Sequence, residues 1–296
     1  MLTNVNHTIE NDKFLISIKQ TGAELCRIQS VTTGKEFLWN ADPNVWASYA
    51  PVLFPVIGAI KKGFVKYEGK DYAVPRHGFV RNNEKVTVIE QTPLSLTFGL
   101  NFDDETLKIY PFEFEFQITY TLYDNTIVVS HQVINHGSRP MLFSLGGHPA
   151  FKCPLNDGEV YEDYYLEFEK VETDSTWLLE KDGLVGNITK PILHNTNVLH
   201  LNGHLFDNDA LIFKNLKSKQ VSLRSTKSGQ VVTLHFEDFP YLGIWAKPNA
   251  HFVCIEPWLG IADSEDSDQN FEMKEGIISL EAGKRFSASY SIEISE

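Results

Sequence analysis

The stretch FEFEFQITYTLYD, residues 112–124, alternates between apolar and polar side chains over nearly its whole length. Its apolar residues stand at every second position from Phe112 to Leu122, so in an extended chain they all fall on one side. Glutamate, glutamine and threonine occupy most of the positions between them. This period of two predicts a long β-strand with one buried and one solvent-facing side.

A second strand-like stretch, TIVVSHQVINH, residues 126–136, follows after the turn-like Tyr123-Asp124-Asn125. Two such runs joined by a short polar turn predict an antiparallel hairpin. Shorter runs of the same kind recur along the chain: KFLISIKQ, KVTVIEQ, SLTFGLNF, YYLEFEKVE, ALIFKNL, QVSLRST, QVVTLHFED, YLGIWAK, HFVCIEP and RFSASYSIEIS.

Helical periodicity is nearly absent. DDETLKIY, residues 103–110, predicts a turn or two of helix, and DPNVWAS, residues 42–48, predicts a turn. Because the strands recur without regular helices between them, we expect antiparallel sheets. The 20 phenylalanines suit a thick core between two sheets. The sequence therefore predicts an all-β fold, one large antiparallel β-sandwich with few short helices, as a single domain over residues 1–296.

The balance of charge argues against two classes of partner. The chain carries 39 acidic and 26 basic residues, a formal charge of −13. Nucleic acids and anionic membranes both require clustered lysine or arginine, so we expect neither as a partner. An anionic metabolite stays compatible with this balance, since a site can be locally basic.

The sequence also bears on localisation. The first 20 residues show no basic start followed by an apolar run, so we expect no signal peptide. We find no apolar stretch near the ~20 residues that span a bilayer. The cysteines Cys26, Cys153 and Cys254 are far apart and odd in number, which fits a reducing compartment. We expect a cytoplasmic protein, as a monomer or homodimer.

In FSLGGHPAF, residues 143–151, a histidine lies between two glycines and a proline. Gly146-Gly147 precede His148, and glycine permits unusual backbone angles or close approach of a ligand. Pro149 follows and fixes the next turn. The pattern predicts an imidazole held at the end of a strand as an acid/base group. The alternative is a strand-end histidine whose ring is bonded only to the backbone.

Two further segments join this one as candidate site segments. In VPRHGFVRN, residues 74–82, His77 lies in a turn flanked by Arg76 and Arg81, a local concentration of positive charge that a plain surface turn would also explain. In HFVCIEPWLGIAD, residues 251–263, Glu256 ends an apolar strand and shares a face with Cys254. Desolvation there is expected to raise the pKa of the Glu256 carboxyl toward that of a useful base, unless an arginine pairs with it.

Other chemistries find less support in the sequence. Trp245 and Trp258 could offer flat faces to a sugar ring, although such residues are more often part of a core. His131 and His136 point to opposite faces of a strand, and no HExxH or CxxC pair is present, so we expect no metal and no organic cofactor. The acidic run at 262–270 is interpreted as a solvated connection, with a cation site as the weaker alternative. A histidine and a carboxylate acting as acid and base remain.

Several blocks in order resemble one known family. PVLFPVIG, PRHGFVRN, GGHPAF, LFDNDALIF, YLGIWAKP, CIEPWLGIAD and LEAGKRFSASYSIEI are similar to the corresponding blocks of the aldose 1-epimerases, and within them to the galactose-mutarotase-related branch called LacX-like. The similarity runs from about residue 10 to the C-terminus. It implies a β-sandwich of the galactose mutarotase type and a sugar-anomerising isomerase that needs no cofactor.

The resemblance also assigns residues. His148 resembles the family's general acid and Glu256 its general base. His77 resembles a second histidine of the sugar site, and Asp209 resembles the aspartate that binds sugar hydroxyls, with Asp207 as the alternative if the alignment shifts by two.

One position departs from the family pattern. Where many relatives carry a substrate-contacting arginine, Gly58 is followed by Ala59. Arg76, Arg81 or the lysines Lys61 and Lys62 are the candidates to replace it, unless the substrate differs. Trp245 is a separate candidate for binding the sugar. The expected substrate is a hexose or a hexose 6-phosphate. A non-catalytic sugar-binding or sensing protein on the same fold is the alternative.

Overall fold

A computed structural model describes residues 5–296 of the chain, and strands dominate it. In this part the strands, numbered in chain order, are β1 (Asn6–Glu10), β2 (Phe14–Lys19), β3 (Glu24–Ser30), β4 (Val52–Leu53), β5 (Val65–Tyr67), β6 (Lys70–Tyr72), β7 (Thr87–Gln91), β8 (Ser95–Asn101), β9 (Phe114–Tyr123), β10 (Thr126–Asn135), β11 (Met141–Phe143), β12 (Leu145–Gly147), β13 (Ala150–Lys152), β14 (Tyr164–Leu179), β15 (Val185–His200), β16 (Leu211–Phe213), β17 (Gln220–Ser225), β18 (Gly229–His235), β19 (Tyr241–Trp245), β20 (Phe252–Leu259), β21 (Ile278–Leu280) and β22 (Arg285–Ile294).

The few helical elements are short, as predicted. The α-helix α1 (Asp104–Ile109) begins after Asp103, whose carboxylate accepts the backbone N–H groups of Glu105 and Thr106. The 3₁₀ turns are Thr21–Ala23, Lys61–Gly63, Val80–Asn82, Tyr161–Asp163 and Phe271–Met273. In residues 5–296 none of the helices is long and apolar enough to cross a membrane.

Two large sheets dominate the fold. The first has nine strands in the order β15-β14-β17-β18-β22-β10-β9-β8-β7. The second has the order β16-β19-β20-β12-β4, with β13 also paired to β20, and smaller sheets are formed by β1-β2-β3, β11-β21 and β5-β6. Every pairing between these strands of the described chain is antiparallel. The predicted all-β, antiparallel class is confirmed.

The alternating stretch at 112–124 forms an interior strand of the large sheet, between β10 and β8. Strands β9 and β10 make the predicted hairpin, closed by a two-residue turn in which Asp124 takes a positive φ of 53°. All six alternating apolar side chains are buried, from Phe112 to Leu122. Phe112 itself precedes the strand, which begins at Phe114.

The inner faces of the two large sheets meet through aromatic side chains. Phe168 of β14 packs against Phe213 of β16 with ring centroids 6.1 Å apart. Phe54, next to β4, lies 4.8 Å from the ring of Phe116 on β9. These contacts make the two sheets the layers of a sandwich.

Two local predictions need correction. Gly146 and Gly147 lie in the extended backbone of β12, so unusual angles do not explain them. Close packing does: a Cβ on Gly147 would lie 2.5 Å from the hydroxyl of Tyr290, and one on Gly146 would lie 2.8 Å from the indole of Trp258. Strand β15 was not predicted, because its polar run and internal Pro191 hide the period of two.

The buried ring of His131 makes folding sensitive to acid. The ring lies between the sheets beside Phe116, Phe239 and Tyr290, and burial lowers its pKa to about 4. In the unfolded chain this histidine takes up a proton near pH ~6.5, whereas the folded chain resists protonation until about pH 4. Its contribution to stability is therefore complete above pH ~6.5 and is lost as the pH falls toward 4.

We predict that the free energy of unfolding falls by up to about 3 kcal/mol from this group alone between pH ~7 and pH ~4. His131→Leu removes that part of the pH dependence, which urea unfolding at several pH values measures. His204→Leu, on a side chain 90% exposed, is the matched control. Equal slopes of stability against pH in wild type and His131→Leu would contradict the prediction.

Candidate functional site

A cavity of about 320 Å³ opens between the second large sheet, which contains β12 and β20, and the tip of the β14–β15 hairpin. Its volume lies at the lower end of the roughly 300–1,000 Å³ of small-molecule sites. The cavity is lined by Trp46, Ile57, Gly58, Arg76, His77, Arg81, His148, Leu179, Gly183, Asp209, Ala210, Ile212, Trp245, Glu256, Trp258 and Ala262. Every residue that the sequence analysis placed in the site, apart from the alternative Asp207, lies in this wall.

His148 directly follows β12, at the strand end where the sequence predicted it. Its ring stacks on Trp46 with centroids 5.1 Å apart and an interplanar angle of 26°. The edges of Trp245 and His77 complete the surroundings, with ring centroids 5.9 and 5.7 Å away. The imidazole is therefore held by three aromatic rings, which fix its orientation toward the cavity.

Glu256 faces His148 from the neighbouring strand β20. Its Oε2 atom lies 3.1 Å from Nε2 of His148, and both residues are buried. Burial raises the pKa of the Glu256 carboxyl well above its usual value, and the charge of Asp209 adds to the effect. The predicted direction of this pKa shift is confirmed, and no arginine pairs with the carboxylate within 4 Å in the described residues.

Burial, reinforced by the positive charge of Arg81, lowers the pKa of His148 to about 3. Burial shifts the pKa of Glu256 in the opposite direction, because it disfavours the charged form of either group. In the free site, burial thus favours a protonated carboxyl beside a neutral imidazole.

His77 occupies a tight turn. Its φ is 62°, and the N–H of Gly78 donates to the carbonyl of Pro75. A Cβ on Gly78 would lie 1.9 Å from the carbonyl oxygen of Phe54, so the turn requires glycine there. The backbone N–H of Gly58 donates to Nδ1 of His77 at 3.2 Å.

This hydrogen bond fixes the protonation of His77. Because Nδ1 accepts, a neutral ring carries its proton on Nε2. Burial lowers the pKa of His77 well below its usual value, and the nearby His148 and the positive charges of Arg81 and Arg76 reinforce the effect. The ring is neutral and presents Nε2–H as a donor.

Two arginines give the cavity a positive wall. Within residues 5–296, neither Arg76 nor Arg81 has a carboxylate within ion-pair distance. Arg81 donates through Nη2 to Ser48 at 3.4 Å, and its buried Nε has no hydrogen-bond partner. Burial lowers the pKa of Arg81, while Glu24 opposes that effect. An acidic protein therefore keeps two uncompensated guanidinium groups in one cavity wall.

The structure distinguishes the two aspartates. Asp209 lines the cavity with a positive φ of 71°. Asp207 instead accepts from Nδ1 of His204 at 3.0 Å and lies outside the cavity wall. The alternative alignment, shifted by two residues, thus does not lead to the cavity.

Unsatisfied polar atoms concentrate at this site. Two buried side-chain atoms without a hydrogen-bond partner belong to residues that line the cavity: Arg81 Nε and His148 Nδ1. Buried polar groups in folded proteins are nearly always paired, so orphans gathered in one cavity indicate groups kept available for a ligand.

Sequence reasoning missed part of the wall. Trp46 was seen only within the predicted turn at 42–48, which forms with the Trp46 N–H donating to the carbonyl of Asp42. Leu179 and Gly183 reach the cavity from the tip of the β14–β15 hairpin. No local pattern marks such residues, because only the long-range path of the chain brings them here.

A buried ion pair supports one side of the cavity. Lys274 Nζ donates to Asp263 Oδ1 at 2.7 Å and to the carbonyl of Ile261 at 2.7 Å. The other Asp263 oxygen accepts the backbone N–H of Lys61 at 2.9 Å. Between these anchors lies Ala262, which lines the cavity. The interpretation of 262–270 as a solvated connection is therefore wrong for Asp263, although Asp266 and Asp268 are exposed.

Comparison with known proteins gives a consistent assignment. The family model described as aldose 1-epimerase matches residues 6–271. The chromosomally encoded LacX protein of Lactococcus lactis subsp. lactis is 36% identical over 97% of this chain and 98% of its own. The solved galactose mutarotase related enzyme of Lactobacillus acidophilus is 37% identical, with a TM-score of 0.93 over 99% of this chain and 98% of that one. A galactose mutarotase-like protein of Lactobacillus casei gives 30% identity and a TM-score of 0.92 over 98% of this chain and 100% of that one.

The sandwich is thus of the galactose mutarotase-like class. The chain belongs to the aldose 1-epimerase family.

We predict that Lys274→Met lowers the free energy of unfolding by about 3–5 kcal/mol, because it leaves the Asp263 carboxylate buried without its partner. Chemical denaturation measures the effect. The control is Lys108→Met, whose ion pair with Glu105 is exposed and should contribute under about 1 kcal/mol. Equal stability of the two variants would show that the buried pair does not support this wall.

Proposed function

We propose that this protein is a mutarotase, which interconverts the α and β anomers of a hexose or hexose 6-phosphate by general acid/base catalysis. The observation that carries the proposal is the 3.1 Å contact between His148 Nε2 and Glu256 Oε2 in the wall of a cavity of small-molecule size. Membership of the aldose 1-epimerase family supports it.

The reaction needs two proton transfers. Glu256, as the carboxylate, removes the proton of the C1 hydroxyl while the bond between C1 and the ring oxygen breaks. His148, as the imidazolium, donates its proton to the ring oxygen, and the open-chain aldehyde results. Rotation about the C1–C2 bond presents the other face of the aldehyde, and closure reverses both transfers. Each positioned transfer is typically worth about 10²–10⁴-fold in rate.

The single proton of the free pair is sufficient for this cycle. Transfer from Glu256 to His148 across 3.1 Å converts the neutral pair into carboxylate and imidazolium without any exchange with solvent. Sugar hydroxyls that donate to Glu256 favour the carboxylate, and the face of Trp46 favours the imidazolium. Binding of the substrate thus prepares the reactive form.

The remaining wall residues would bind the sugar. The Nε2–H of His77 can donate to a sugar oxygen, and the carboxylate of Asp209 can accept from hydroxyls. Trp245 offers an apolar surface to the ring. Arg76 and Arg81 take the place of the arginine that is absent at Ala59.

We also infer that residues 1–296 act as one cytoplasmic domain, monomeric or dimeric, with a sugar as its partner. The continuous cluster of buried residues from Ile9 to Ile294 supports a single domain.

We predict that wild type accelerates the anomerisation of freshly dissolved α-D-glucose, α-D-galactose or glucose 6-phosphate, as polarimetry or NMR exchange measures. Glu256→Gln and His148→Ala should each lose about 10²–10⁴-fold in kcat. His204→Ala, on an exposed histidine, should keep full activity. If wild type accelerates none of the three sugars while a sugar still raises its melting temperature, the non-catalytic binding function replaces this one.

We further predict that Arg76→Gln raises KM for glucose 6-phosphate by about 10-fold or more relative to its effect on glucose, because a charge-assisted hydrogen bond contributes roughly 1.5–3 kcal/mol. Arg27→Gln, which removes an exposed arginine paired with Glu36, is the control. An equal effect of Arg76→Gln on both sugars would exclude recognition of the phosphate by this arginine.

A further inference from the structure

The thiol of Cys254 lies beside the proposed acid/base pair of His148 and Glu256, and all three side chains can bind a metal ion. Cys254 precedes Glu256 by two residues on β20, so both side chains leave the strand on the same side. A ring nitrogen of His148, the Cys254 sulfur and a Glu256 oxygen all lie within 4.8 Å of one another. The catalytic proposal gives the thiol no role.

We propose that this cluster of His148, Cys254 and Glu256 is a binding site for a thiophilic divalent metal ion of the Zn²⁺ class, and that the bound ion inhibits the enzyme reversibly. The binding stands on the geometry alone, whereas the inhibition rests on the proposed function.

The distances suit a small tetrahedral ion. Zn²⁺ binds nitrogen and oxygen at about 2.0–2.1 Å and sulfur at about 2.3 Å. A tetrahedral arrangement then separates nitrogen from oxygen by about 3.3 Å and sulfur from nitrogen by about 3.6 Å. The observed separation of His148 Nε2 from Glu256 Oε2 is 3.1 Å, close to the first value. The sulfur, within 4.8 Å of both, needs to move by about 1 Å at most.

The ligand set selects the class of ion. One sulfur and one imidazole nitrogen favour zinc-like ions over Mg²⁺ and Ca²⁺, which take oxygen ligands. Three protein ligands leave the fourth position open toward the cavity, where water can complete the coordination.

Proton release limits the affinity. The ion requires the thiolate, although burial raises the pKa of the Cys254 thiol well above its usual value. Metal ligands bind in their deprotonated forms, so binding of the ion should strengthen as the pH rises. The nearby guanidinium groups of Arg76 and Arg81 oppose a cation. Both effects weaken the binding of the ion, which is what a reversible inhibitor requires.

A bound ion blocks the proposed catalysis by occupying the same atoms. Coordination uses the lone pair of His148 and a carboxylate oxygen of Glu256, so neither can transfer a proton. The ion also lies where the reacting part of the sugar would lie. Inhibition should therefore weaken as the sugar concentration rises.

The test titrates the purified protein with Co²⁺ as a spectroscopic substitute for Zn²⁺. Wild type should develop a thiolate-to-cobalt charge-transfer absorption, which Cys254→Ala lacks and Cys153→Ala, at another buried cysteine, retains. Cys254→Val, which preserves more of the side-chain volume, serves as the second variant if Cys254→Ala does not fold. Absence of the band in wild type, or its persistence without Cys254, overturns the proposal.

Activity is measured separately. Zn²⁺ should inhibit wild-type anomerisation, chelation should restore the rate, and the inhibition constant should rise by 10-fold or more in Cys254→Ala. Undiminished inhibition of that variant overturns the inhibitory role. If wild type has no anomerase activity but shows the cobalt band through Cys254, the metal site stands and the proposed function fails.

Discussion

The burial of one carboxyl group beside one imidazole is the constraint on which the site depends. Glu256 and His148 meet at 3.1 Å in the cavity wall, where both are buried and a charge on either group is disfavoured. Burial raises the pKa of Glu256 and lowers that of His148, so it favours the uncharged form of both groups. In the proposed function, polar groups of a bound sugar favour a separation of charge between the two. Binding and the proposed proton transfers would then be parts of the same electrostatic event.

The sandwich supplies the rigidity that such a pair requires. Glu256 lies on a strand buried along nearly its whole length, and His148 lies at the end of the strand paired with it. Gly146 and Gly147 let this strand approach its neighbours closely, which sets the position of the imidazole. Trp46 then fixes the orientation of the ring. The backbone places the carboxyl and the imidazole, and aromatic packing aligns the imidazole.

Much of this could be predicted from the sequence, because its signals are local. The period of two at 112–124 specifies a strand whatever surrounds it, and the antiparallel class follows from repetition of that pattern. The family resemblance pointed to His77 and Asp209 as site residues, and both line the cavity. The pKa of His148 could not be predicted, since it depends on the burial of the ring and on two arginines that are distant in sequence. The place of Trp46 in the cavity wall was also missed, because it follows from the path of the whole chain.

The hairpin of β14 and β15 has a consequence of its own. Its tip supplies Leu179 and Gly183 to the cavity, and its second strand is tied to the opposite wall where the N–H of Val185 donates to the carbonyl of Asp263. His148 and Glu256 belong to the other sheet. Changes in the length of this hairpin can therefore reshape the entrance while the contact between these two side chains stays intact. If the protein acts as proposed, a lineage that shortens or extends the tip would change the range of accepted sugars without rebuilding the acid/base pair.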